Sequence, residues 1–328
     1  MNTFGRIVRV SIFGESHGAM VGVTIDGLPH GIKLNADDFT DDLARRRAGA
    51  IGTTPRVEGD IPEIATGWFN GYTTGAPLTI LFRNENTKSG DYDKLKDVPR
   101  PGHSDFVAYH KFDGYNDYRG GGHFSGRLTL GLVAAGVVAK KVIPQVSIEA
   151  RLIEAGGKTN IDEAIAEAQK QNDSIGGIVE CVATGIPIGL GEPFFDSAES
   201  VISHLAFSIP AVKGIEFGSG FAASRMKGSE HNDPIIDSKG TTATNNAGGV
   251  NGGITNGNPL VFRIAVKPTS SIAKPQQTLN IKSEKIETLM VEGRHDTCIA
   301  LRVPVVVEAI TAIALADLLL IERTRKNR

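Results

Sequence analysis

The sequence predicts an α+β fold of layered sheets and helices. Three observations carry that expectation. Short period-2 apolar segments recur along the chain, a few apolar stretches run at helical spacing, and the two kinds mix without strict strand–helix alternation. Ile7 to Phe13 reads as a strand entering a polar loop. Val21, Val23 and Ile25 alternate with smaller or polar residues as a second strand, which Asp26-Gly27 ends. Asn35 can cap a helix with Asp37 and Asp38 in its first turn and Arg45, Arg46 and Arg47 in its last, charges that suit the helix dipole at both ends. A Gly/Thr/Pro loop from about Gly49 to Asp60 precedes a short strand, Leu78 to Phe82. Residues 84 to 123 are polar and aromatic with little periodicity, and so long a loop inside a domain usually serves function.

Arg127 to Ile143 reads as a well-buried helix with Leu128, Leu132, Ala135, Val138 and Ala139 on one face. Val146 to Ile153 is a strand, Ile161 to Gln171 an amphipathic helix, and Ile178 to Ile188 another strand. Asp196 or Ser197 caps a helix through Leu205. Thr241 to Pro259 is a second glycine-rich loop, and the strand Leu260 to Val266 leads into Lys267-Pro268-Thr269-Ser270-Ser271. A helix from about Val303 to Glu322 closes the chain. No linker divides residues 1–328, which points to a single domain.

Composition narrows the function. Of 328 residues, 40% are hydrophobic and 22% charged, enough for a sizeable core. The net charge of -2 provides no overall basic surface for nucleic acid or an anionic membrane, so any anion site must be a local cluster. The 39 glycines follow no collagen-like period and suggest many tight loops. Cys181 and Cys298 sit in apolar runs and build no disulfide framework, and the N-terminus lacks a signal-peptide core. The most apolar stretch, Ala309 to Ile321, includes Asp317 and is too short to span a bilayer. A reducing, cytoplasmic location is expected.

Five of the eight histidines, His17, His103, His123, His231 and His295, lie in polar, glycine-rich or charged loops, where proton transfer is possible and contribution to the core is small. No metal site is expected: the spacings of zinc motifs are missing. The most informative segment is Arg119-Gly-Gly-Gly-His123-Phe-Ser125-Gly-Arg127. Three glycines can turn backbone N–H groups to one side, a long helix follows, Ser125 can cap it, and Arg119 and Arg127 add charge at both ends. The segment echoes a P-loop without the required Lys and Ser/Thr. Gly218-Ser-Gly220 reads as a loop rather than a dinucleotide fingerprint. Arg45-Arg46-Arg47 either complements the helix dipole or binds an anion. Lys267 to Ser271 is either a strand end or a phosphate clasp. The residues alone point to an enzyme that holds phosphorylated ligands. A phosphate-dependent lyase or transferase and a non-catalytic anion-binding scaffold remain the rival readings.

Taken together, these segments resemble the chorismate synthase family. Gly14-Glu15-Ser16-His17-Gly18 through Pro29, Gly122 to Ala139 around Ser125-Gly126-Arg127, and Arg294-His295-Asp296 through Ala309 resemble its three long motifs. Arg100-Pro101-Gly102-His103-Ser104-Asp105, Asp117 to Gly122, Pro210 to Gly214 and Lys267 to Ser271 also match, in order along the chain. The resemblance implies a β-α-β sandwich of antiparallel sheets around helices and a homotetramer. It implies the last step of the shikimate pathway, an anti-1,4-elimination of phosphate from 5-enolpyruvylshikimate-3-phosphate that requires reduced FMN without net redox change. It also implies that His17 and His103 manage protons, one at the flavin and one at the leaving phosphate, and that Asp296 tunes the flavin or accepts a proton. Flavin contacts are implied for Arg46, His123, Phe124, Ser125, Pro210, Ala211, Gly252, Lys267, Pro268, Thr269, Ser270, Ser271 and Arg294. Substrate contacts are implied for Arg45, Arg46, Arg119 and Arg127. Ala48 stands where many members have Pro, and Gly52 where a second arginine is often found, with Arg56 the candidate replacement. The chain shows no insert for a built-in reductase, so an external flavin reductase is expected, with NADPH as an outside source of electrons.

Overall fold

Two antiparallel sheets face each other across a layer of helices in the computed structural model, which describes residues 2–54, 58–85, 95–291 and 295–326. Strands β1 (Thr3–Phe4), β2 (Arg9–Gly14) and β3 (Met20–Asp26) are followed by helix α1 (Thr40–Arg46), β4 (Glu63–Thr66), the small hairpin β5 (Trp68–Phe69) and β6 (Tyr72–Thr73), and β7 (Leu78–Arg83). Helices α2 (Asp105–Lys111) and α3 (Thr129–Val142), β8 (Ser147–Ala155), α4 (Ile161–Lys170), β9 (Gly177–Thr184), α5 (Ala198–Ala206) and β10 (Val212–Phe217) form the middle of the chain. The last third holds α6 (Gly228–His231), the hairpin β11 (Val250–Asn251) and β12 (Ile254–Thr255), β13 (Leu260–Val266), the hairpin β14 (Gln276–Asn280) and β15 (Lys285–Leu289), and α7 (Pro304–Lys326).

The first sheet has the order β1-β2-β3-β7-β4 and the second β10-β13-β9-β8. Alternation decides which side of each strand is buried: Val21, Val23 and Ile25 face inward from β3, and Leu260, Phe262, Ile264 and Val266 from β13. Helix α3 packs on β2 and β3 on one side and on α7 on the other, while α7 also packs on β8 and β9. This is the β-α-β sandwich expected. The α3–α7 crossing is close because Gly136 has no side chain. A Cβ there would lie 2.3 Å from the Ala309 Cβ.

The central position of the helices bears out one expectation and corrects another. Helix α3 is well buried as expected: every residue from Thr129 to Ala139 is buried, because a sheet, α7 and α1 surround it. Helix α7 extends beyond the expected Glu322, and with a mean hydropathy of 2.2 it is long and apolar enough to cross a bilayer, yet 89% of that apolar window is buried inside the protein. One of its buried acids, Asp317, accepts backbone hydrogen bonds from Arg6, Ile7 and Val8 at 2.8–2.9 Å. That carboxylate ties the N-terminal segment to the core. Strands β1, β4 to β6, β10, β14 and β15 and helices α2 and α6 were not expected, and the segment Thr241 to Pro259, expected as a loop, carries the short hairpin β11–β12. Strand β9 ends at Thr184, short of Ile188.

Candidate active site

The site is built around the glycine turn that precedes α3. Gly120, Gly121 and Gly122 have φ of +59°, +80° and +54°, a left-handed run open to glycine. Space forbids other residues as well. A Cβ on Gly120 would sit 2.5 Å from the His17 ring, and one on Gly122 would sit 2.0 Å from the Asp117 carbonyl oxygen. Ser125 ends the turn as the expected cap, its Oγ accepting from the Arg127 N–H at 3.2 Å.

Two cavities adjoin this turn. The larger, about 730 Å³, is lined by apolar side chains that include Phe124, Leu128, Leu132, Leu205 and Ile209. Its polar edge carries His103, His123, Lys213 and Lys267 to Ser271, and the N-terminal residues Asn2 to Phe4 close one side. Lys267 Nζ donates to the Gly102 carbonyl at 2.7 Å and to Ser270 Oγ at 2.9 Å. Burial, helped by the neighbouring Lys213, pushes the Lys267 ammonium below its usual range. The Thr269 Oγ1 is buried with no hydrogen-bond partner among the described residues. His123 Nδ1 donates to the Gly14 carbonyl at 2.8 Å, and its Nε2 faces the Asn2 side-chain amide 3.1 Å away.

The smaller cavity, about 230 Å³, is basic. Arg46, Arg47, Arg100, Arg127 and Arg302 line it, with Glu58, Asp60 and Asp296 as its acids. Arg46 comes from the end of α1 and is 3% exposed. Its Nη1 donates to Thr129 Oγ1 at 3.4 Å and its Nη2 to Asp60 Oδ2 at 3.3 Å, while its buried Nε has no partner among the described residues. Burial pushes this guanidinium down to about 9 against the pull of Asp60, with Arg302 and Arg127 adding repulsion. Arg127 donates to the other oxygen of Asp60 and, through Nε, to Asn84 Oδ1 at 3.1 Å. Arg302 Nε donates to the Arg46 carbonyl at 2.9 Å, and its Nη1 lies 3.5 Å from Asp296 Oδ2. The other oxygen of Asp296 accepts from the Thr54 N–H at 2.9 Å.

His103 and His17 flank the glycine turn. His103 Nδ1 donates to Asp105 Oδ1 at 2.6 Å, and Arg100 binds the same carboxylate through Nε at 2.7 Å and Nη2 at 2.8 Å. Burial raises the Asp105 carboxyl, but the hydrogen bonds from Arg100 and His103 outweigh it and hold it well below the usual carboxylate range. With Nδ1 engaged, His103 turns Nε2 toward Gly121. His17, expected on an exposed loop, is instead buried behind Gly120 and borders neither cavity.

Of the expected residues, His103, His123, Phe124, Ser125, Pro210, Ala211, Lys267, Pro268, Thr269, Ser270 and Ser271 line the larger cavity, and Arg46, Arg127 and Asp296 the smaller. Four were expected at the site and border neither cavity. Besides His17, Arg45 points the other way along α1 and its guanidinium is held by Glu308 Oε1 at 2.6 Å and Oε2 at 2.7 Å, since adjacent helix positions diverge by about 100°. Arg119 turns outward to Asp117, with Nη2 2.8 Å from Oδ2. Gly252 is an exposed residue in the turn between β11 and β12. Arg46 borders only the basic cavity, not the one expected for the flavin. Arg294 and Arg56 lie outside the described residues. Asp60, Arg302, Lys213 and His204 were missed. Asp60 sits in a loop without periodicity or a charge run to single it out, and Lys213, although inside the matching segment Pro210 to Gly214, carries no local pattern that marks it as a ligand contact. Among the described residues no cluster of His, Cys, Asp and Glu could hold a metal ion.

The comparisons with known proteins agree with one another. A family model described as chorismate synthase matches residues 8–320. A chorismate synthase of Chitinophaga pinensis is 66% identical over 329 residues, covering 100% of this chain and 99% of that protein. One of Pyrococcus abyssi is 45% identical, covering 97% and 98%. A crystal structure of a chorismate synthase superposes with a TM-score of 0.73 at 26% identity, covering 97% of this chain and 93% of that one.

Proposed function

The chain belongs to the chorismate synthase family, and on that premise we propose that it eliminates phosphate from 5-enolpyruvylshikimate-3-phosphate to give chorismate, with reduced FMN in the larger cavity and the substrate in the basic one. The observation that carries this reading is the common wall. Gly120, Ser125, Gly126, Thr129, Pro210 and Thr269 border both cavities, so ligands in the two would meet face to face. A chain of net charge -2 gathers five guanidiniums around about 230 Å³, which suits a substrate with one phosphate and two carboxylates.

The residues of the larger cavity fit a flavin. Phe124, Leu128 and Leu132 offer an apolar wall for the ring. Lys213, Lys267, Ser270 and the hydroxyl of Thr269, which has no partner among the described residues, offer charge and donors for its phosphate. Bound there, reduced FMN would supply the reversible electron and hydrogen transfer that the elimination requires. The chain's own residues do the rest. Arg46, Arg100, Arg127 and Arg302 bind and orient the anionic groups and stabilise the charge gathering on the departing phosphate. Asp105 fixes the His103 ring through Nδ1, so that a proton is held or released at Nε2 on the side of the glycine turn. Asp296, anchored by the Thr54 N–H, presents its carboxylate to the basic cavity as a proton acceptor. His17 acts from behind Gly120.

The flavin is reduced outside the chain, by a separate reductase with NADPH as the electron source. The two buried free thiols Cys181 and Cys298 suit a cytoplasmic location. The family's homotetramer is the setting in which an exposed turn such as that at Gly252 would reach a flavin. Anaerobic incubation with FMN, dithionite and the phosphorylated substrate tests the reading: chorismate absorbance should appear. Its failure to appear under fully reduced conditions overturns the proposal in favour of a phosphate lyase that does without flavin.

A further inference from the structure

We propose, on the reading of the basic cavity as the substrate site, that Asp60 is its positioning residue: one carboxylate shared by Arg46 and Arg127 aims both guanidiniums into the cavity and leaves their charge in excess for an anionic substrate. A carboxylate in an anion pocket looks misplaced until the pairing is counted. The Asp60 side chain is 2% exposed, those of Arg46 and Arg127 are 4% and 6%, and each oxygen of Asp60 serves a different arginine. One anion between two cations leaves a buried positive charge, and burying net charge is costly unless a partner supplies the opposite sign. The Arg46 Nε, a buried donor with no partner among the described residues, marks where that partner is missing.

Asp60 also joins three separate segments. Arg46 arrives from α1, Arg127 from the turn before α3, and Asp60 from the loop that leads to β4. Through Arg127 the tie reaches Asn84, whose amide donates to the carbonyls of Glu15 and Gly18 at 3.0 and 2.8 Å and so holds the loop that carries His17. Without the carboxylate, the two guanidiniums would repel each other and turn apart. The backbone supports a dedicated role. Asp60 has φ of +51°, a left-handed conformation that Asp and Asn tolerate better than other side chains.

The test follows from what surrounds Arg46. The charged groups facing it are Asp60, Arg302 and Arg127, with Glu58, His295 and Asp296 around the same cavity. Of its near neighbours Asp60 favours its charged form most, while Arg302 and Arg127 oppose it. Asp60→Asn keeps the shape and the backbone conformation and removes the charge. Substrate dissociation and steady-state constants would be measured on the FMN-loaded enzyme across pH. The proposal expects about 100-fold weaker substrate binding in the variant at neutral pH, with FMN affinity within about twofold. It also expects substrate affinity to fall in the wild type as the pH rises through about 9 and in the variant to begin falling at lower pH, because Arg46 loses its proton earlier without its partner. Substrate affinity within about twofold of wild type, or a loss equal at every pH as a packing defect would give, overturns the proposal. Should Asp60→Asn fail to fold, Asp60→Glu keeps the charge but displaces the carboxylate. It should bind substrate more weakly with no new pH dependence, and wild-type affinity in it overturns the proposal. A wild-type enzyme that yields no chorismate refutes the assignment of the cavity instead, so the two failures are distinct.

Discussion

The larger cavity, about 730 Å³, is walled mainly by aliphatic and aromatic side chains, while the smaller, about 230 Å³, is walled by guanidiniums and carboxylates. Their supports differ in the same way. The larger leans on the apolar layer of α3 and α5, and its lysines, Lys213 and Lys267, stand at the edge. The smaller is held by ion pairs and hydrogen bonds among α1, the loop at Asp60, the glycine turn and the segment before α7. The difference teaches that an apolar cavity can be made by packing alone and tolerates change at its rim, whereas a pocket for several negative charges must be wired residue by residue. Substitutions in the two cavities should therefore separate flavin effects from substrate effects, and substitutions in the common wall should not.

Gly120→Ala should have the largest effect and abolish the separation. The positive φ and the clash with the His17 ring together cost about 4 kcal/mol, equivalent to roughly a thousandfold in kcat/KM, and both ligands should bind more weakly. A loss confined to one ligand would show that the turn is not a common wall. Arg127→Ala and Lys267→Ala should separate cleanly. The first should weaken the substrate about 100-fold by leaving Asp60 half paired, and the second should weaken FMN about tenfold, each sparing the other ligand within about twofold. Titration of each variant with each ligand decides this, and crossed effects would break the assignment. Thr269→Val should be the mildest. Its buried hydroxyl has no partner among the described residues, so the melting temperature should hold or rise, while ligand affinity drops about fivefold. A clear fall in melting temperature would show that the hydroxyl serves the fold.

Much of the architecture was legible because alternation is a local signal. Leu260–Val266 is a strand with the bounds expected, and Ser125 caps the turn before α3 as expected. Strands β14 and β15 were not legible because they form an exposed hairpin outside both main sheets, so no buried face imprints a period on them. Helix α2 was hidden in the polar run because only Ala108 of its seven residues is buried. At the site, the motifs marked which segments converge but not which way their side chains point. Arg45 and Arg46 are adjacent and equally basic, yet one pairs with Glu308 and the other enters the cavity, a choice made by the rotation of α1 against α3 and α7. Asp60 lies in a loop of no regular pattern, and only the fold brings it between two arginines.

The central claim is that two ligands share one wall, and a linkage titration tests it most directly. The dissociation constant of the phosphorylated substrate would be measured with and without saturating FMN, and that of FMN with and without saturating substrate. Contact across Gly120, Ser125 and Thr269 predicts that each ligand changes the affinity of the other by the same factor, about fivefold or more. Identical affinities in the presence and absence of the other ligand would contradict it.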